Sequence, residues 1–167
     1  MSTTICLVFP HQLFEQHPAF AHADAFWLIE DELFFTQLPF HQKKLALHRA
    51  SMNYYAEYLR SKSKRVRYFE EKEAKLGVVF DQLRQMTTQI IVVDPTDFLL
   101  EKRIRRYTQQ CELQLTWLEN PSFINSKADN IVLFGQREQR FFLADFYKKQ
   151  RERLGILLDQ DGQALGG

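Results

Sequence analysis

Apolar and polar positions alternate along the chain in two periods. Residues 4–9 (TICLVF), 25–29 (AFWLI) and 89–93 (QIIVV) are short, nearly unbroken apolar runs, read as strands covered on both faces. Residues 65–70 (RVRYFE) set Arg65 and Arg67 against Val66 and Tyr68, the two-residue period of a less covered, edge-like strand. Residues 112–118 (ELQLTWL) supply a fifth strand. Helical periods lie between. The longest covers residues 40–61, where Leu45, His48, Met52, Tyr55 and Leu59 share one face and Gln42, Lys43, Asn53 and Arg60 lie away from it. Residues 74–86 place Leu76, Val79, Phe80 and Leu83 on one face; residues 98–110 do so with Leu99, Leu100, Ile104 and Tyr107. Weaker patterns predict a short helix at 18–23, an aromatic connection at 33–38, turns and one apolar run (131–134) within 123–137, and a last helix over 138–154. The turn Asp94-Pro95-Thr96-Asp97 offers Thr96 or Asp97 as the cap of the following helix.

Strands alternating with helices imply right-handed crossovers and a parallel sheet with helices on both faces. The expected fold is α/β, three-layered and Rossmann-like, with five strands in the order 3-2-1-4-5. Ligands in such sheets sit beyond the carboxyl ends of the strands, where the order reverses. That singles out His11, Gln12, Glu30, Asp31, Asp94 and Thr96. The long helix begins after Pro39 and carries His41, Lys44, His48 and Arg49 in its first turns. A helix N-terminus with such donors suits an anionic or hydroxyl-rich ligand; a docking helix with solvated basic groups is the plainer reading.

Composition narrows the function. Lys plus Arg total 22 and Asp plus Glu 21, so no global basic surface argues for nucleic acid. The basic-aromatic helix around Phe142, Tyr147, Lys148, Lys149, Arg151 and Arg153 leaves a local nucleic-acid or interdomain surface open. The set Lys102, Arg103, Arg105 and Arg106 reads as an exposed helix face. Only six glycines occur, and neither GxGxxG nor GxxxxGK[ST] is present, which argues against phosphate-cradling loops. No GxSxG elbow appears, and Cys6 and Cys111 sit in apolar, strand-like runs without metal-ligand spacing. Glu30 and Asp31 are read as a polar strand end rather than an acid–base pair. No signal peptide or membrane-length run is found, so a cytoplasmic location with no membrane partner is expected.

Several stretches together resemble one family. LVFPHQLF is similar to the LxxGDQL opening of the photolyase-related branch of the photolyase/cryptochrome superfamily, the bacterial group with an iron–sulfur cluster. Residues 17–24 (HPAFAHAD), 29–35 (IEDELFF), FHQKKLALHRASMNYYAEYL, Asn120-Pro121-Ser122-Phe123 and RERLGILLDQDGQALGG also match. The HxxKxxLHRASM helix is the most specific part.

The resemblance implies that residues 1–154 form an antenna-chromophore-binding domain, like the photolyase N-terminal domain. Residues 155–167 would begin a linker to a C-terminal domain carrying FAD and a 4Fe-4S cluster. The antenna would be 6,7-dimethyl-8-ribityllumazine or another chromophore, and its site, carried over by position, comprises His11, Gln12, Leu13, Glu30, Phe34, Gln37, Phe40, His41, Lys44 and His48. Pro10-His11 stands where the family has Gly-Asp. The implied role is a non-catalytic light-harvesting domain of a flavoprotein, a lyase or signalling protein, acting in light-dependent DNA repair or blue-light signalling. Its partners would be its own FAD domain and, through the full-length protein, DNA. The alternatives are an adenine-nucleotide-binding module of the universal-stress type and a structural domain whose pocket is filled by Phe34, Phe35 and Phe40.

Overall fold

The computed structural model describes residues 3–135, 142–163 and 165. Two compact units are distinguished, Met1–Ser122 and Phe123–Gly167. In the first, β1 (Thr4–Val8), β2 (Ala25–Ile29), β3 (Arg65–Phe69), β4 (Gln89–Val93) and β5 (Gln114–Leu118) form one parallel sheet in the order β3-β2-β1-β4-β5. The sequence expectation of fold and strand order is met. Helices α1 (Glu32–Phe35), α2 (Gln42–Ser61), α3 (Leu76–Met86) and α4 (Phe98–Gln110) connect the strands.

The two-residue period of β1 divides the core. Ile5 and Leu7 face the layer built by Val79, Phe80 and Leu83 of α3 with Leu100 and Ile104 of α4. Cys6 and Val8 face Met52, Tyr55, Ala56 and Leu59 of α2. All of these are buried, so β1 reads as apolar throughout because both its faces are covered. At the edge, Arg65 and Arg67 of β3 stay exposed, and the Arg67 guanidinium lies 4.9 Å from the Trp27 ring centre and 4.6 Å from that of Phe69.

Local chemistry sets the element ends. His41 caps α2, its Nδ1 accepting from the Lys43 N–H at 3.1 Å. Asp97, rather than Thr96, caps α4, accepting from the Leu100 N–H at 2.9 Å. Thr96 takes a left-handed φ of 55°, unusual for a β-branched residue, as the chain turns into that cap.

Several expectations are corrected. The aromatic connection after β2 contains α1, because Asp31 caps it through the Leu33 N–H. Leu99 is exposed, and Thr108 takes the inward place beside Leu100 and Ile104. Cys111 is not in a strand; it ends α4 and is only partly buried. β5 starts at Gln114, since Glu112 turns the chain with φ of 53°. The run 131–134 belongs to a helix, α5 (Lys127–Phe134), started by a capping box between Ser126 and Asp129.

In the second unit the last helix, α6, is Leu143–Leu154. The first residues expected of it, up to Arg140 and Phe141, lie outside the described residues, as do Ala164, Gly166 and Gly167 of the expected linker. Arg153 of α6 pairs with Asp129 at 3.1 Å and also reaches Asn125, while Phe134 and Phe146 stack with centroids 5.5 Å apart. Neither α5 nor α6 buries a residue.

His17 gives a testable stability term. It caps the 3-10 turn Pro18–Ala21 through the Ala19 N–H at 3.1 Å and meets Phe26 edge-on. Burial pushes its pKa down from 6.5 to about 4. The unfolded chain binds a proton in that interval which the native state does not, so His17 makes stability fall as pH drops from 6.5 to 4. Urea unfolding at pH 7 and 4.5 should show an extra loss of about 2–3 kcal/mol in the native chain relative to His17→Asn, which keeps a cap acceptor.

Candidate functional site

The site lies past the ends of β1, β2 and β4. Pro10 ends the first strand, and Gln12 turns inward. Its Nε2 donates to Val93 O at 2.7 Å and its Oε1 accepts from the Phe9 N–H at 3.3 Å. Gln12, fully buried, thus ties the tips of the two strands that diverge at the switch point. This fixes His11, whose Nε2 lies 2.9 Å from Pro95 O. A carbonyl only accepts, so Nε2 carries the proton and Nδ1 is left as an acceptor. The His11 ring lies over Phe34, centroids 4.9 Å apart at 31°. Burial lowers the His11 pKa and the nearby His48 adds to this, against the Pro95 carbonyl and Asp97, which raise it.

Glu30 closes the end of β2. Its Oε1 accepts from Arg49 Nε at 2.8 Å and Tyr68 Oη at 2.7 Å; its Oε2 accepts from Arg49 Nη2 at 2.5 Å and the Glu71 N–H at 2.9 Å. Those four bonds use the acceptor positions of a carboxylate. Burial alone would raise the Glu30 pKa; the bonds from Arg49, Tyr68 and Glu71 and the Arg49 charge outweigh it and hold the group below its usual range. Glu30 therefore joins β2, α2 and the end of β3 and has no lone pair left for a ligand.

Asp31 is a contrast. It is 1% exposed; one oxygen caps α1, and Oδ2 makes no hydrogen bond. Burial pushes its pKa up to about 6, against the Leu33 N–H and the Arg103 charge. Arg103 reaches over from α4. Its Nη2 donates to Gln37 Oε1 at 2.7 Å, while Nη1 stands 3.0 Å from Glu32 Oε1 and 3.6 Å from Asp31 Oδ1 without alignment for a hydrogen bond to either. Arg103 is thus no solvated face residue, as the helical spacing had suggested.

From α2, Lys44 lies 4.1 Å above the Phe40 ring and His48 stands 6.1 Å from Phe35. His48 Nε2 is enclosed without a partner, and burial followed by the Lys44 charge lowers its pKa. The fold brings His11, Phe34 and His48 to one place, with Gln37 attached through Arg103 and Phe40 and Lys44 paired at the start of α2. Gln12, Glu30 and His41 serve as framework. Leu13 faces elsewhere, into an open groove of about 820 Å³ lined also by Glu15, Ala50, Ser51, Tyr54, Tyr55 and Tyr58. Tyr55 and Tyr58 are fixed there by hydroxyl bonds to Phe14 O (2.7 Å) and Glu15 O (2.8 Å).

Sequence reasoning missed Tyr68 and Arg49 as partners of Glu30, and Arg103 as a partner of Asp31. The arginines carry no pattern that distinguishes them from solvated neighbours. The tyrosines at 54, 55 and 58 were a legible signal, since residues spaced by three or four share a helix face. Among the described residues no group of His, Cys, Asp and Glu is arranged to hold a metal ion, and no helix is long and apolar enough to cross a membrane.

Fold and site together define a Rossmann-like α/β domain with imidazoles, rings and a buried carboxylate gathered at its switch point. Residues 6–167 match the family described as deoxyribodipyrimidine photo-lyase-related protein, and the chain belongs to that family. A relative 30% identical over 176 residues, spanning 98% of this chain and 88% of its own length, is an uncharacterized protein of Acanthamoeba polyphaga mimivirus.

Replacing Glu30 tests the framework. Glu30→Ala leaves Tyr68, Arg49 and the Glu71 N–H without their acceptor and should cost about 3 kcal/mol at pH 7, somewhat less for the half-exposed Arg49 side. Because the folded pKa of Glu30 is depressed, its contribution is complete above 4.5 and disappears as pH falls through the folded value. Urea unfolding should show the gap between native chain and variant narrowing as pH falls below 4.5.

Proposed function

We propose that this chain is the light-harvesting domain of a photolyase-related flavoprotein. It holds 6,7-dimethyl-8-ribityllumazine, or another chromophore with a flat ring, at the switch point. The domain does no bond chemistry. Its task is to keep the chromophore rigid, because energy transfer depends on distance and orientation relative to the acceptor. The acceptor is FAD in a C-terminal helical domain that also carries a 4Fe-4S cluster. The whole cytoplasmic protein would use the light on pyrimidine photoproducts in DNA, or to signal.

The observation that carries this reading is the cluster of His11, Phe34, Phe35 and His48 around the N-terminal half of α2. Ring faces stack on a flat chromophore. Partial burial lowers the pKa of both imidazoles, which disfavours a charge beside an uncharged ring and leaves them to donate or accept hydrogen bonds. Lys44, His41 and Gln37 stand exposed at the mouth and offer polar contacts to a hydroxylated chain. Gln12 and Glu30 immobilise the strand tips beneath. Family membership supports the reading.

Fluorescence titration with 6,7-dimethyl-8-ribityllumazine tests it. The chain should bind it with a shift in emission, Phe34→Ala should weaken binding by about tenfold, and His48→Trp should block it by filling the space beside Phe35. Absence of binding, in a chain whose circular dichroism shows it folded, overturns the antenna role.

A further inference from the structure

From the geometry we infer that Asp31 and Arg103 form a recognition edge for a cyclic imide: a ring N–H flanked by a carbonyl. The inference rests on the proposed ligand site and says which face of the ligand that site reads.

Two observations carry it. Asp31 is 99% enclosed, yet its Oδ2 has no hydrogen bond, and a carboxylate oxygen kept from both water and donors is costly. Beside it, Arg103 Nη1 is likewise enclosed with no hydrogen bond, paired by charge alone with Glu32 Oε1 at 3.0 Å and with the other Asp31 oxygen at 3.6 Å. An acceptor beside a donor, neither of them in a hydrogen bond, matches a group offering a donor next to an acceptor. The same surface carries the flat part of the site: the Phe34 N–H bonds to Asp31 O at 3.0 Å, and the Phe34 ring lies against His11. A flat ring on that pair brings its imide edge to Asp31 and Arg103. Arg103 is anchored to Gln37, which is exposed, and Glu32 is 54% exposed, so rotamer changes admit a ligand.

The cap makes a clean variant available. In Asp31→Asn the amide oxygen keeps the Leu33 N–H, as Asn caps helices as well as Asp does. The amide nitrogen then replaces Oδ2 and meets the imide N–H donor to donor. Calorimetric titration of the whole chain uses three probes: 6,7-dimethyl-8-ribityllumazine, its N3-methyl derivative, and ribitol. In the native chain the N3-methyl derivative should bind about tenfold more weakly or worse, and ribitol should not compete. Asp31→Asn should bind the parent lumazine about tenfold more weakly and no longer distinguish it from the methylated form.

Equal affinity of the native chain and Asp31→Asn for the lumazine overturns the edge while leaving the antenna reading standing, and so does competition by ribitol. Binding of riboflavin, which carries the same imide edge, with the same Asp31→Asn loss but without lumazine binding, upholds the edge and removes the lumazine as the antenna. Binding of neither heterocycle overturns both.

Discussion

The carboxylate of Glu30 is the joint on which the first unit turns. It sits where β2 ends, in a place water does not reach, and an ionised group there survives only if its lone pairs are filled. Arg49, Tyr68 and the amide of Glu71 fill them. The requirement is mutual. The long helix must pass close enough for Arg49 to reach in, and the third strand must end where Tyr68 and the following backbone can do so. One polar group thereby sets the height of α2 over the sheet and the exit path of β3. The apolar layers on either side hold the elements together without fixing where along one another they stop.

Asp31, the next residue, has the opposite role. The chain places two acids side by side at a strand end; one is saturated and the other is left with a free oxygen. Their environments separate them: Glu30 is held below its usual range and Asp31 above its own. The adjacent carboxylates are thereby set in different states, one saturated within the frame and the other enclosed with an oxygen that makes no hydrogen bond.

Much of the fold was legible because strands buried on both faces leave a plain apolar signature, as TICLVF and QIIVV show, and because helix faces repeat at a fixed period, as Leu76, Val79, Phe80 and Leu83 show. Order 3-2-1-4-5 then followed as the commonest arrangement of such a sheet. The errors fell where spacing leaves two answers. Leu99 and Leu100 are neighbours, and only tertiary packing decides that Leu100 turns in. Cys111 lies at the join of two elements, where the chain has already left α4 and has not yet begun β5. The site was legible as a location, since the switch point selects the loop holding His11 and the strand end holding Glu30 and Asp31. Its internal wiring was not. Gln12 looks like any loop glutamine until Val93 is known to lie beside it, and Arg103 looks like a solvated cation until the loop after β2 is known to lie beneath it. Contacts between residues distant in the chain leave no trace in local periodicity.

The exposed arginines of β3 have an effect beyond the single molecule. A parallel sheet with a free margin offers unpaired peptide groups to any other extended chain. At this margin Arg65 and Arg67 are exposed, and Arg67 is held over Trp27 and Phe69. A foreign segment adding itself there must strip water from two permanent cations with no anion to receive them. The same residues that give the strand its alternating pattern therefore disfavour pairing at this margin of the sheet.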